Sequence, residues 1–145
     1  MIKFELKDKK TGKTSTYSKE DITLGEAERF YEMEQKKEKE IEKYREKAKA
    51  EIEKEYGSDF EDQQIYFNLI QGKFNEIVDS KKIRKYNRDF FISLFADQGL
   101  TEEDVLSHMS TRQYNKALEK TFREIEGEDE EATETQSEEV GKATE

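Results

Sequence analysis

The chain has 145 residues, a length that fits one domain of ordinary size. Only 32% are hydrophobic while 43% are charged, which excludes a uniform globule, because burial has to offset the entropy of ordering every residue. A formal charge of −10 and the absence of cysteine exclude disulfides and thiol chemistry, and argue against duplex DNA, whose binding needs Lys and Arg on phosphates.

The nine Phe and seven Tyr nonetheless require a real core, since disordered chains are poor in aromatics. In chain order, Ile2, Phe4 and Leu6 alternate with Lys3, Glu5 and Lys7, the period-2 pattern of a half-buried strand. Asp8 to Gly12 reads as a turn, and Lys13 to Tyr17 returns as a second strand. An isolated hairpin is marginal in water, so its apolar face must pack on a helix. Thr23 and Glu26 have capping-box spacing and open a long helix over 25–56 that ends at Gly57. Its first turns carry Ala27, Phe30, Tyr31 and Met33, which could cover the hairpin. The run Glu34 to Glu40 has no apolar member, before Ile41, Tyr44, Ala48, Ile52 and Tyr56 resume a thin stripe. A stretch polar all round must bridge solvent or be held by pairs such as Glu32–Lys36. Whether this helix folds back on the core or stands free is left open by the residues.

A second capping-box spacing, Ser58 to Glu61, predicts a helix to about Ser80 with Phe60, Phe67, Ile70, Phe74, Ile77 and Val78 inward. Ile83, Tyr86, Phe90, Phe91, Leu94 and Phe95 then form the best amphipathic stripe of the chain, closed by Gly99. Thr101 caps a short helix carrying Val105, Leu106 and Met109. Ser110 caps a last one with Tyr114, Ala117, Leu118, Phe122 and Ile125 on one face. The expected fold is mainly α (α+β): an N-terminal β-hairpin packed on a small helical bundle, one domain over 1–126. From 127 the chain carries eight acidic residues against Lys142 alone, and reads as a disordered acidic tail over 127–145.

The inventory for chemistry is nearly empty. His108 is the single histidine, and its place suits a helix C-terminal turn, where positive charge is favoured. Without a second histidine or any cysteine, no transition-metal site is expected, and no serine has a base at a sensible spacing. No glycine-rich phosphate cradle and no calcium-loop pattern occur, so neither a catalytic residue nor a cofactor is assigned and the chain reads as a non-enzyme. Lys81, Lys82, Arg84, Lys85 and Arg88 form a basic cluster with Tyr86 interleaved. It is read as a solvated helix face, with a weak RNA-binding surface or a dock for the acidic tail as the other readings. Phe90, Phe91, Leu94, Phe95, Val105 and Leu106 are the candidate partner-binding residues, and core packing is the competing reading. No apolar run approaches the ~20 residues needed to cross a bilayer, and the N-terminus has no signal-peptide core, so cytoplasmic residence is expected.

The segment 90–106 resembles tail assembly chaperones of long-tailed phages of Gram-positive hosts. In that family an aromatic-rich helix ends in a Phe-x-x-Gln turn, followed by a Thr cap, an acidic residue and an apolar pair. Phe95, Gln98, Thr101, Asp104, Val105 and Leu106 occupy those places here. Residues 1–31 and 65–145 resemble the family in layout. Gly99 is an extra residue, and the charged stretch from Glu32 to Tyr56 lengthens the chain beyond the family's compact form. The resemblance implies a protein that coats the tape measure protein, keeps it soluble until tail tube protein polymerises around it, and acts in the host cytoplasm. It also implies a longer frameshifted form, for which Gly141-Lys142 permits suitable codons. The competing expectation is a small acidic helical adaptor or regulator, self-associating through 41–56.

Overall fold

The computed structural model describes residues 1–127. Strands β1 (Ile2–Lys7) and β2 (Thr14–Lys19) are followed by helices α1 (Leu24–Tyr56), α2 (Gln63–Ile77) and α3 (Ser80–Leu94). A 3-10 turn (Ala96–Gln98) leads to α4 (Glu102–His108) and α5 (Thr111–Glu126). The protein is therefore mostly helical with an N-terminal antiparallel hairpin, as the periodicities require. The acidic tail beyond Gly127 lies outside the described residues.

The described residues form two compact units. Unit 1 combines residues 1–29 with 89–127, and unit 2 is the intervening 30–88. Residues 34–40 of α1, which carry no apolar side chain, lie inside unit 2.

Unit 1 is built around the hairpin. Asp8 accepts from the backbone N–H groups of Lys10 and Thr11 and turns the chain, and Gly12 takes φ +73°, a conformation glycine alone adopts without strain. This register sets Phe4 opposite Tyr17, their rings stacked 5.2 Å apart. Ile2, Phe4 and Leu6 are buried on one face while Lys3, Glu5 and Lys7 face outward. That face is covered by α4, α5 and the end of α3: Phe4 touches Phe91 and Phe95, and Phe91 meets Tyr114 edge to face at 5.6 Å. Ala117, Thr121 and Ile125 complete the core from α5. The buried Thr121 hydroxyl donates back to the Ala117 carbonyl, so no polar atom is stranded there.

Unit 2 is an antiparallel helix hairpin. Along α1, Glu53 accepts from the Tyr66 hydroxyl at 2.6 Å, Glu51 pairs with Lys73, and Arg45 stacks on the Phe74 ring. Further toward the α1 N-terminus, Glu40 pairs with Lys82 at 2.7 Å, and Lys37 donates to Asn87. Thus α2 and the first half of α3 run back along α1, with the chain bending at Val78 (ψ 132°) and Asp79. The all-polar run of α1 is held by these cross-helix polar contacts, with Glu34–Lys37 and Glu40–Lys43 along the helix. Ala48 and Ile52 are the fully buried apolar residues of this unit. The helix thus folds back inside unit 2.

The Thr23–Glu26 capping box forms in both directions. The Ser58–Glu61 box does not form. Asp62 caps α2 instead, its carboxylate accepting from the N–H of Gln64, and Phe60 lies 4.8 Å from Tyr66 across the cap. A carboxylate is at least as good an N-cap as a serine hydroxyl, and the later start lets Phe60 fold over the first turn. The expected inward positions Ile70, Phe74 and Ile77 are half-buried, Phe67 on the same stripe is exposed, and the helix stops at Ile77 rather than Ser80.

Candidate functional site

Five of the six residues singled out as partner-binding are core. Phe90, Phe91, Leu94, Phe95 and Val105 are each at most 6% exposed, so a partner reaches none of them in the folded chain. Leu106, 59% exposed, faces outward on α4.

The segment 90–106 has a structural task at nearly every position. Phe95 is fully buried against Phe4. Gln98 uses both ends of its amide on one residue: Nε2 donates to the Ser18 carbonyl at 2.8 Å, and Oε1 accepts from the Ser18 N–H at 3.1 Å. Gly99 takes φ +89° to end the turn. Thr101 accepts from the Asp104 N–H, and Asp104 accepts from the Thr101 N–H, a complete capping box. Val105 then enters the core. On the other strand Gln113 donates to the Glu5 carbonyl at 2.7 Å. Each strand of a two-stranded sheet has one free edge, and here a glutamine amide occupies part of each.

His108 sits in the last turn of α4, where the sequence puts it. It lines a recess of about 180 Å³ with Asp8, Asp104, Tyr17 and the hairpin turn. Two hydrogen-bonding carboxylates near an imidazole would be an acid–base set if they were free. Both are engaged: Asp104 in its capping box and Asp8 in the turn. The N–H of Lys10 holds Asp8 below the usual carboxylate range, against a smaller opposing effect of burial. Among the described residues no group of three or more His, Asp or Glu stands close enough to hold a metal ion. No helix among them is long and apolar enough to cross a membrane.

In the basic cluster, Lys82 is committed to Glu40, while Lys81 and Arg84 are exposed on α3. The Glu40 carboxylate raises the Lys82 ammonium above its ordinary value, and Lys82 in turn lowers Glu40. That pairing removes one cation from any phosphate-binding face.

The surface that stands apart is α2. Its sequence, QQIYFNLIQGKFNEI, has Lys73 and Glu76 as its charged residues, in a chain that is 43% charged. It is also the helix with the most apolar sequence, yet none of its residues is fully buried. Ile65 and Phe67 are 53% and 57% exposed, and Tyr66, Leu69, Ile70 and Phe74 are half-buried. The cause is geometric: a helix packed on one neighbour within a two-helix hairpin buries part of its circumference and leaves the rest open. Between α2 and α1 a groove of about 380 Å³ is floored by Phe67, Ile70 and Phe74 and rimmed by Glu42, Arg45, Glu46 and Lys49. Aromatic enrichment together with charge depletion is the signature of the central part of a protein–protein interface.

No family model, curated protein or solved structure matches this chain.

Sequence reasoning placed the partner surface on the strongest amphipathic stripe, and that stripe is where the core lies. The signal that finds the exposed surface is the local loss of charge between Gln63 and Gly72, a compositional step.

Proposed function

We propose that this chain is a non-enzymatic protein-binding module whose partner surface is the open face of α2. The observation that carries the reading is the exposure of Phe67 beside Ile70 and Phe74 in the groove, on a helix nearly stripped of charge. An exposed Phe continuous with a half-buried apolar groove floor marks a site for a partner rather than ordinary surface. An amphipathic helix is the shape that fits, laying its apolar stripe along Phe67, Ile70 and Phe74 while its polar flank meets the mixed charges of the α1 rim.

Within this reading the specific function we infer is that of a tail assembly chaperone. The chain would hold a long helical tape measure protein soluble until tail tube protein replaces it. The resemblance over 90–106 supports it, as does the pairing of an apolar docking face with an acidic chain that resists aggregation. A small helical adaptor or regulator is the second reading. It is favoured by residues 32–56, which lengthen the chain beyond the compact form of that family and build half of unit 2.

Copurification followed by mass spectrometry tests both. Recovery of a very long helical protein with the tagged chain, lost on Phe67→Ser with helicity unchanged, is the expected result. Recovery of an unrelated short partner through the same residue would move the assignment to the adaptor. Capture of a partner that persists in Phe67→Ser and Ile65→Ser would remove α2 as the docking face.

A further inference from the structure

The rim of the α2 groove has a property that selects one further occupant. Along α1 the exposed rim reads Glu42, Arg45, Glu46, Lys49, that is minus, plus, minus, plus. Read backwards, every sign inverts. An identical helix laid antiparallel across it therefore sets Glu42 against Lys49 and Arg45 against Glu46, twice each, with no like pair among the four. We propose that a second copy of this chain docks on the groove face, antiparallel α1 against α1, around a two-fold axis passing between Arg45 and Glu46. This is an isologous interface, in which each contact occurs twice by symmetry.

The other components of the face agree. Two antiparallel helix hairpins stacked on their open faces make a four-helix bundle, the arrangement that covers the second stripe a lone hairpin leaves wet. Polar side chains on α2 are mostly uncharged amides that satisfy one another, with Gln64 donating to Asn68 and Gln71 donating to Asn75. Amides donate and accept, so they impose no sign on what faces them and tolerate a copy of themselves. The rim is neutral in sum, although the chain carries a net charge of −10, so the long-range repulsion between two acidic copies is weakest there. By contrast, the exposed charges of an acidic or a basic partner would meet two like charges whichever way it lay.

Dimer formation would cap the face assigned above to a helical client, so that client and second copy compete. The dimer deepens that reading as its regulation, yet it rests on the rim charges and the amides of α2, and fails separately.

Sedimentation equilibrium of the full chain, over a wide concentration range at low salt, is the experiment. The expected result is a monomer–dimer equilibrium in which Glu42→Lys and Lys49→Glu each weaken association by at least about tenfold, or ~1.4 kcal/mol. The double variant Glu42→Lys/Lys49→Glu should restore the wild-type constant, because the swapped charges meet each other across the axis. Both positions are exposed, and circular dichroism checks that helicity is kept. A chain that stays monomeric throughout overturns the proposal. So does a dimer that both single variants leave intact, or one that the double swap does not restore. Client binding by the monomeric Glu42→Lys variant is scored independently, so a client without a dimer, or a dimer without a client, identifies which reading fails.

Discussion

Gln98 meets Ser18 with a donor and an acceptor at once, imitating a neighbouring strand on a stretch one residue long. Removing it in Gln98→Ala should cost about 1–2 kcal/mol, two hydrogen bonds at a partly exposed edge, read as a lower midpoint in urea unfolding. Gln98→Glu should not rescue, because a carboxylate can accept from the Ser18 N–H but repels its carbonyl. Thr101→Ala should cost about 1 kcal/mol through the lost cap. Phe91→Ala, which empties the fully buried centre of unit 1, should cost about 3–5 kcal/mol. The ranking of the three by chemical denaturation separates edge, cap and core. Caps at this scale are legible in sequence where a Thr or Ser stands three residues before an acid or amide, as at Thr23, Thr101 and Ser110. The spacing failed at Ser58, since Asp62 offers a competing cap four residues on and local spacing cannot rank two good caps. Burial of Thr121 was illegible too, because its hydroxyl finds a partner in its own helix, which no apolar pattern records.

Helix α1 carries the carboxylates Glu40, Glu51 and Glu53 on the side that meets α2 and α3, and each takes a cation or a hydroxyl from across the helix pair. Their pH dependence has a definite sign. Glu40 is held below its ordinary 4.5 by the Lys82 hydrogen bond. Its contribution to folding is complete above pH 4.5 and fades as pH falls through the lowered value. Lys82, raised by Glu40, contributes fully below its ordinary 10.5, and this is lost as pH rises through the raised value. Tyr66 follows the same alkaline sign, since the Glu53 carboxylate holds its proton. An NMR titration should find the Glu40 midpoint below 4.5 in the wild type and shifted back toward 4.5 in Lys82→Gln. Element type was readable for the hairpin and for all five helices, because period 2 and period 3.6 do not imitate each other. The outward side of α2 was not readable, because a helix that is apolar on most of its circumference gives no single inward direction.

In the whole molecule the two units differ in what holds them. Unit 1 has an aromatic centre in Phe4, Phe91 and Phe95, whereas unit 2 relies on Ala48 and Ile52 with ion pairs at the margins. Exposed ion pairs contribute little, so unit 2 should open at lower free energy than unit 1. Native-state hydrogen exchange should show α2 amides exchanging well before those of β1 and α5, and the reverse order would contradict this division. The composition warned of too little apolar material for one core, but which segments share a core is a long-range fact that local periodicity does not hold. The order of the units along the chain also sets an order in time. Unit 1 is interrupted: β1 and β2 emerge first from a ribosome, while Phe91, Phe95 and α5 emerge only after all of 30–88. Until then Ile2, Phe4 and Leu6 have no cover. Unit 2 is made of neighbours in sequence, so it can close while synthesis continues, and its closure sets Lys37 beside Asn87 at 3.4 Å. A stretch that would otherwise be a long slack loop becomes a splint, and the entropy of bringing the two parts of unit 1 together is largely spent before the second part has left the exit tunnel.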